Sequence, residues 1–394
     1  MFEGGGANVI LFCPFNSPCI LIRFHSVIYD YPLFLGADQF SHYLCAMFEN
    51  KNNRTELQNL GEFGLIEHIK NQVKLTQSGS IKGIGDDAAV IDNGEGQTVI
   101  TTDLLLEGVH FDLSYCPLKH LGYKSVVVNI SDVCAMNAIP KQITLGLGIS
   151  NRFSLEAVEE FYSGVLLACE RYGVDLVGGD TTSSQSGMVI SITAIGIAPS
   201  QEIVYRNGAK ENDLICVTGD LGGAYMGLQL LNREKKIFLE NPNAQPDLQG
   251  FDYILERQLK PEARLDIVQR FKTWYLQPTS MIDISDGLAS EILHICHQSD
   301  VGCQIYEEKL PIDHLTRELG MELGLDATMA ALNGGEDYEL LFTIPMSEYE
   351  KVKDRAEISI VGHITHKSAG YHFVDRQNNV HPLSAQGWDA FLSK

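Results

Sequence analysis

The chain has 394 residues, 44% of them hydrophobic and 20% charged, with a net charge of −22 at pH 7. That is apolar sequence enough for two or three domains, and the acidity disfavours a nucleic-acid partner, whose phosphates demand Lys and Arg. Nine scattered cysteines with no Cys-x-x-Cys pair read as reduced thiols of a cytoplasmic protein, not as a disulfide framework or zinc site, and no apolar run reaches the roughly 18 residues of a membrane span.

Residues 1–46 hold short apolar pieces broken by Pro14, Asn16 and Pro18, without the basic start of a secretory signal. A second methionine, Met47, follows. This stretch, counted to residue 53, reads as an N-terminal extension or a mis-assigned translation start. Beyond it, helices are expected over residues 57–73, 118–136 and 154–172, the last with Ser154 as N-cap. Strands are expected over 97–103, 143–149, 174–177 and 189–197. Residues 199–210 carry Pro, Asn and Gly between two apolar strands, which marks a domain boundary near residue 200. The second part reads as a strand at 214–218, a helix at 222–231, a polar loop at 234–249 and a helix at 261–271. A strand at 281–284, a helix at 288–297 and strands at 340–344 and 358–361 follow. The pattern is α/β in its mixed, α+β form.

The acidic residues that carry chemistry sit beside glycines and at strand ends. Gly83-Ile84-Gly85-Asp86-Asp87 places two carboxylates after flexible glycines. Such a run is also a common turn. Thr101-Thr102-Asp103 closes a strand, and Glu107-Gly108-Val109-His110 follows. His110 alone is equally a structural histidine. Ser125, Asn129 and Asp132 fall on one stripe of a helix that is apolar almost all round. A carboxylate buried there needs a cation, a donor or a metal. Gly178-Gly179-Asp180-Thr181-Thr182 follows a short strand, where backbone N–H groups can cradle anionic oxygens. Asp283 and Asp286 bracket a strand-to-helix turn in Ile282-Asp283-Ile284-Ser285-Asp286-Gly287. Asn333-Gly334-Gly335-Glu336-Asp337-Tyr338-Glu339 leads into the strand at 340–344. Each segment is ambiguous by itself. Six of one kind, with no P-loop and no zinc motif, point to phosphate chemistry on several Mg²⁺ ions held by acids.

These motifs, in this order from about residue 54 to the C-terminus, resemble the thiamine-monophosphate kinase family. The wider superfamily includes aminoimidazole-ribonucleotide synthetase and selenophosphate synthetase. The resemblance implies a two-domain aminoimidazole-ribonucleotide synthetase-like fold. Residues 54–200 would form an ATP- and Mg²⁺-binding domain whose sheet joins a second subunit's in a dimer barrel, and residues 201–394 an α/β domain closing over the site. It implies metal and phosphate roles for Asp86, Thr101, Thr102, Asp103, Asp132, Asp180, Asp283, Ser285 and Asp286, with Asp86, Asp103 and Asp132 central to catalysis. It assigns nucleotide contacts to Tyr162, Gly179 and Arg206, and thiamine phosphate contacts to His110, Glu336 and an aromatic matched to Trp388. The expected reaction is direct in-line transfer from ATP to thiamine phosphate. The chain departs from the family pattern at Asn137, where Gly is usual and Asn also tolerates the left-handed cap. It departs again at Gly223, where the family has Asp. A selenophosphate synthetase reading is disfavoured because no cysteine closely precedes Gly83. A silent nucleotide-binding protein need not keep the whole acid set.

Overall fold

The computed structural model describes residues 61–386 apart from Gln72, Lys74, Glu95 and Ala244. The expected N-terminal extension, the start of the first helix and Trp388 lie outside the described residues. Helix α1 (Gly61–Lys70) is followed by a six-stranded sheet of β1 (Ser80–Lys82), β2 (Ala89–Asp92), β3 (Gln97–Leu106), β4 (Ile139–Ile149), β5 (Asp175–Ser183) and β6 (Val189–Ala198). Its order is β1-β2-β3-β6-β4-β5. All pairs are antiparallel except β4–β5, and that parallel pair is joined by α3 (Leu155–Tyr172), the crossover such a pair requires.

Helix α2 (Leu118–Ala135) is buried nearly all round because it has no solvent side. It packs on β3, β4 and β6, against α3, and against elements of the second half of the chain. Gly122 and Gly164 let α2 and α3 touch backbone to backbone. A Cβ at Gly122 would run into the Phe161 carbonyl oxygen, and one at Gly164 into that of Lys119. Helix α3 starts at Ser154, whose hydroxyl accepts from Ala157 N–H at 3.3 Å, and stops at Gly173 with φ 64°.

The second half holds a seven-stranded sheet, ordered β13-β12-β9-β11-β7-β10-β8. Its strands are β7 (Leu214–Thr218), β8 (Ser280–Asp283), β9 (Gly302–Tyr306), β10 (Leu340–Ile344), β11 (Ile358–Thr365), β12 (Tyr371–Val374) and β13 (Val380–Pro382). Around it lie α4 (Gly223–Glu240), α5 (Asp252–Leu259), α6 (Leu265–Trp274), α7 (Leu288–Ser299), α8 (His314–Leu323), α9 (Ala327–Asn333) and the single turn α10 (Tyr349–Val352). The sheets fall on either side of residue 200. Their apolar interior is nonetheless continuous, since Val126 and Ile130 of α2 share a cluster with Met281 of β8 and Phe271 of α6.

Three differences from the sequence expectation bear on the site. Strand β3 runs on to Leu106 because Leu106 pairs with Val189, so Asp103 sits inside the strand and not at its end. Strand β5 runs through Gly178, Gly179 and Asp180 as an exposed edge held by main-chain pairing with β4. Helix α4 continues to Glu240 through what reads as a polar loop, and stops where Asn241-Pro242 cannot extend it.

Candidate active site

The polar stripe of α2 meets both sheets. Thr101 Oγ1 of β3 donates to Asp132 Oδ2 at 2.5 Å. The backbone N–H of Asp103 donates to Asn129 Oδ1 at 3.0 Å, and Asn129 Nδ2 donates to the Ser125 carbonyl at 3.1 Å. From the other side, Ser131 Oγ donates to Asp283 Oδ2 of β8 at 2.6 Å. Carboxylate oxygens of Asp87, Asp132 and Asp283 thereby come within 4.8 Å of one another.

Carboxylates this close repel one another, and burial adds to the cost of charge. Burial, and then Asp103, Asp283 and Asp87, push the Asp132 carboxyl well above its ordinary range. Asp283 rises to about 8 through burial first and Asp87 second. Asp103 rises to about 6 through burial. The donors are all hard oxygens, with no thiolate or imidazole among the three. That set fits Mg²⁺, which takes a few carboxylates and completes its shell with water and phosphate oxygen.

Asp86 and Asp87 divide their work. Asp86 accepts the Arg206 backbone N–H at 3.0 Å and pairs with Lys82 at 2.9 Å. Asp87 takes the Arg206 guanidinium in a two-pronged contact, Nε at 3.1 Å and Nη2 at 2.7 Å. The two side chains thus part company in the bend between β1 and β2, and the one that enters the acidic cluster is Asp87.

The β8–α7 turn is braced by Glu291, a buried acid that sequence reasoning passed over. Its Oε1 accepts the Asp286 backbone N–H at 3.0 Å and lies 3.5 Å from Ser285 Oγ. Burial raises its carboxyl well above the ordinary value, with Asp286 adding to the effect. The segment from Gly334 to Glu339 wraps the same turn. Glu336 N–H donates to the Ser285 carbonyl at 2.7 Å, and Tyr338 N–H to that of Ile284 at 2.9 Å. Both residues are left-handed, with φ of 68° and 52°. The three acids of this segment do different things. Asp337 caps α4 by accepting Gly222 N–H at 2.7 Å and Ala224 N–H at 3.3 Å. Glu339 is locked by Arg257, Arg264 and Thr218 at 3.0, 2.6 and 2.6 Å. Glu336 is partly exposed and is held by Lys124 and Gln258.

The remaining expected residues lie apart. Tyr162, Gly179 and Asp180 line a cavity of about 410 Å³ with Leu145, Leu176 and Thr181. Strand β5 is three strands from β3, about 14 Å at the usual strand spacing. Thr102 turns its hydroxyl to β6, donating to the Ile192 carbonyl at 3.0 Å. His110 Nδ1 accepts the Leu106 backbone N–H at 3.0 Å, which leaves the neutral ring's proton on Nε2.

Comparison with known proteins decides the family. The family model described as AIR synthase related protein, N-terminal domain, matches residues 85–198. The thiamine-monophosphate kinase of Aquifex aeolicus (strain VF5) is 36% identical over 306 residues, 77% of this chain and 92% of its own length. That of Bacillus subtilis (strain 168) is 32% identical over 338 residues, 84% of this chain and 100% of its own. The chain belongs to the thiamine-monophosphate kinase family. A solved structure, AaThiL complexed with AMPPCP and TMP, superposes with a TM-score of 0.72 at 32% identity, covering 86% of this chain and 100% of that one.

In this member of the thiamine-monophosphate kinase family, the expected residues other than Thr102, His110 and Trp388 thus form two groups. Thr101, Asp103, Asp132 and Asp283 gather around α2, with Asp86, Arg206, Ser285, Asp286 and Glu336 on the turns beside them. Tyr162, Gly179 and Asp180 form a separate corner on the β5 edge.

Proposed function

We infer that this chain transfers the γ-phosphoryl group of ATP to thiamine phosphate, giving thiamine diphosphate and ADP. The observation that carries this reading is the match, over 86% of this chain, to a structure holding AMPPCP and TMP, together with the buried oxygen cluster of Asp87, Asp132 and Asp283.

The acceptor oxygen of thiamine phosphate is already anionic, so attack needs no strong general base. A bond forms from that oxygen to the γ-phosphorus, the bond to the β,γ-bridging oxygen breaks, and ADP leaves with the electron pair. Such transfer is mostly positioning and charge neutralisation. Asp87, Asp132 and Asp283, with Asp103 beside them, would hold Mg²⁺, and Asp86, Thr101, Asp180 and Asp286 are proposed as further oxygen donors. Bound there, Mg²⁺ supplies neutralisation of the anionic phosphate oxygens. Arg206 and Ser285, beside the cluster, and Tyr162, Gly179 and Asp180, on the β5 cavity, are proposed for the nucleotide. His110, donating through Nε2–H, Glu336 and Trp388 are proposed for the acceptor.

A homodimer is part of the proposal. The face of the first sheet turned away from α2 carries Leu104 and Ile197, 52% and 46% exposed, next to the small residues Thr193, Ser191 and Gly146 in register across β6 and β4. A second copy laid on this face would cover it. No described helix is long and apolar enough to cross a membrane, and a cytoplasmic location is proposed.

The test is incubation of the purified chain with ATP, Mg²⁺ and thiamine phosphate, read by mass spectrometry. Stoichiometric thiamine diphosphate and ADP, abolished by EDTA, are expected. ADP without thiamine diphosphate would move the assignment to another acceptor.

A further inference from the structure

The Glu336 carboxylate is gripped from two layers of the molecule. Lys124 Nζ of α2 lies 2.8 Å from Oε1, and Gln258 Nε2 of α5 donates to Oε2 at 2.7 Å. Lys124 also donates to the Gln258 backbone carbonyl at 3.0 Å, so the three residues close a ring. The Lys124 side chain is 5% exposed. Gln258 is buried as well, and its Oε1 has no hydrogen-bond partner among the described residues. The one hydrogen bond found for its carboxamide is thus made to Glu336.

Burying an ammonium is costly, and an apolar side chain of similar length would fill the same space more cheaply. The contact that offsets that cost for Lys124 is Glu336. The backbone of Glu336 is fixed too, left-handed and tied to Ser285. Main chain and side chain are therefore both set before any ligand arrives. Lys124 and Ser131 are seven residues apart on α2, about 10 Å along its axis. Ser131 holds Asp283 of the acidic cluster. One helix thus sets the spacing between the acidic cluster and Glu336.

We propose that Lys124, assisted by Gln258, is a positioning residue for acceptor recognition: it aims Glu336 at the heteroaromatic end of the phosphorylated acceptor and has no part in nucleotide binding or in the transfer step. The proposal rests on the kinase reading above.

The test compares wild type with Lys124→Met, Gln258→Ala, Glu336→Gln and the double variant Lys124→Met/Glu336→Gln. The readouts are KM and kcat for thiamine phosphate, and calorimetric binding of AMPPCP with Mg²⁺. Losing one charge-assisted contact should raise the acceptor KM of Lys124→Met about tenfold. Its kcat and AMPPCP affinity should stay within about threefold of wild type, and the effect should largely vanish in the Glu336→Gln background. An unchanged acceptor KM, an equal loss of AMPPCP affinity, or full additivity with Glu336→Gln overturns the proposal. Should Lys124→Met fail to fold, Gln258→Ala decides: a raised acceptor KM with unchanged AMPPCP affinity upholds it, and an unchanged KM overturns it. A wild-type chain that turns over no thiamine phosphate sinks the kinase reading itself, which an active wild type with an indifferent Lys124→Met does not.

Discussion

Ser131 and Asp283 stand 152 positions apart in the chain and share a hydrogen bond of 2.6 Å. It joins a helix laid on the first sheet to a strand of the second, at the edge of the acidic cluster. Removing the hydroxyl leaves a buried acid without a donor. Ser131→Ala should cost about 1–3 kcal/mol of stability, read by urea denaturation in EDTA. An unfolding midpoint equal to wild type would show that the two halves are held together elsewhere.

Asp132→Asn should lower turnover by at least about 100-fold, the scale on which charge-stabilising groups act, while the far-ultraviolet dichroism stays that of wild type. It should also raise the melting temperature in EDTA, because one member of a repelling set becomes neutral. Near-normal turnover would remove Asp132 from the site.

The pH dependence of the metal-free protein has a definite sign. Asp103 and Asp283 have folded-state values of about 6 and about 8 against an ordinary 3.8. Groups raised on folding contribute stability below the unfolded value and lose it as pH rises through the folded one. In EDTA the melting temperature should therefore fall between pH 4 and roughly 8. Saturating Mg²⁺ should flatten that slope and release protons on binding, measurable by calorimetry in buffers of different ionisation enthalpy. A flat EDTA profile, or binding without proton release, would contradict the electrostatics of the cluster.

Gly122→Ala tests the α2–α3 crossing by the direction of its effect. Alanine at an open helical position stabilises by roughly 0.5–1 kcal/mol relative to glycine. Here the added methyl meets the Phe161 carbonyl, and overpacking should destabilise by about 1–3 kcal/mol. A higher melting temperature would mean that the helices do not touch at this point.

Asp337 and Glu336 are neighbours with separate duties. Asp337→Ala should cost about 0.5–2 kcal/mol through loss of the α4 cap and change the acceptor KM little. Glu336→Gln should do the reverse. If both variants moved the same quantity, the division of that turn into cap and contact would be wrong.

Much of the architecture is legible in sequence where local chemistry decides it. Ser154 and Gly173 bound α3 because a cap is read from a few residues. Strands β7 and β10 stand out as short apolar runs between turns. Strand β5 hides its length because its second half is Gly, Asp, Thr and Ser, kept extended by the main chain of β4 and not by side-chain preference. The acids of the site show themselves by sitting in apolar surroundings, as Asp132 and Asp283 do. Their partners do not. That Asp87 turns inward beside Asp86, that Arg206 holds it from 119 positions away, and that Lys124 meets Glu336 across the molecule are long-range pairings with no local signal. Glu291 is similarly silent, since an acid in the first turns of a helix is ordinary.

The burial of α2 on every side has a consequence for how the protein is made. Asp87, Asp103 and Asp132 leave the ribosome well before Asp283. At about 5–20 residues per second, the 152 positions between Ser131 and Asp283 correspond to roughly 8–30 s of translation. Throughout that interval Val126 and Ile130 lack Met281 and Phe271, with which they share an apolar cluster in the finished fold. The apolar cluster around α2 is therefore completed only when α6 and β8, which supply Phe271 and Met281, have been made.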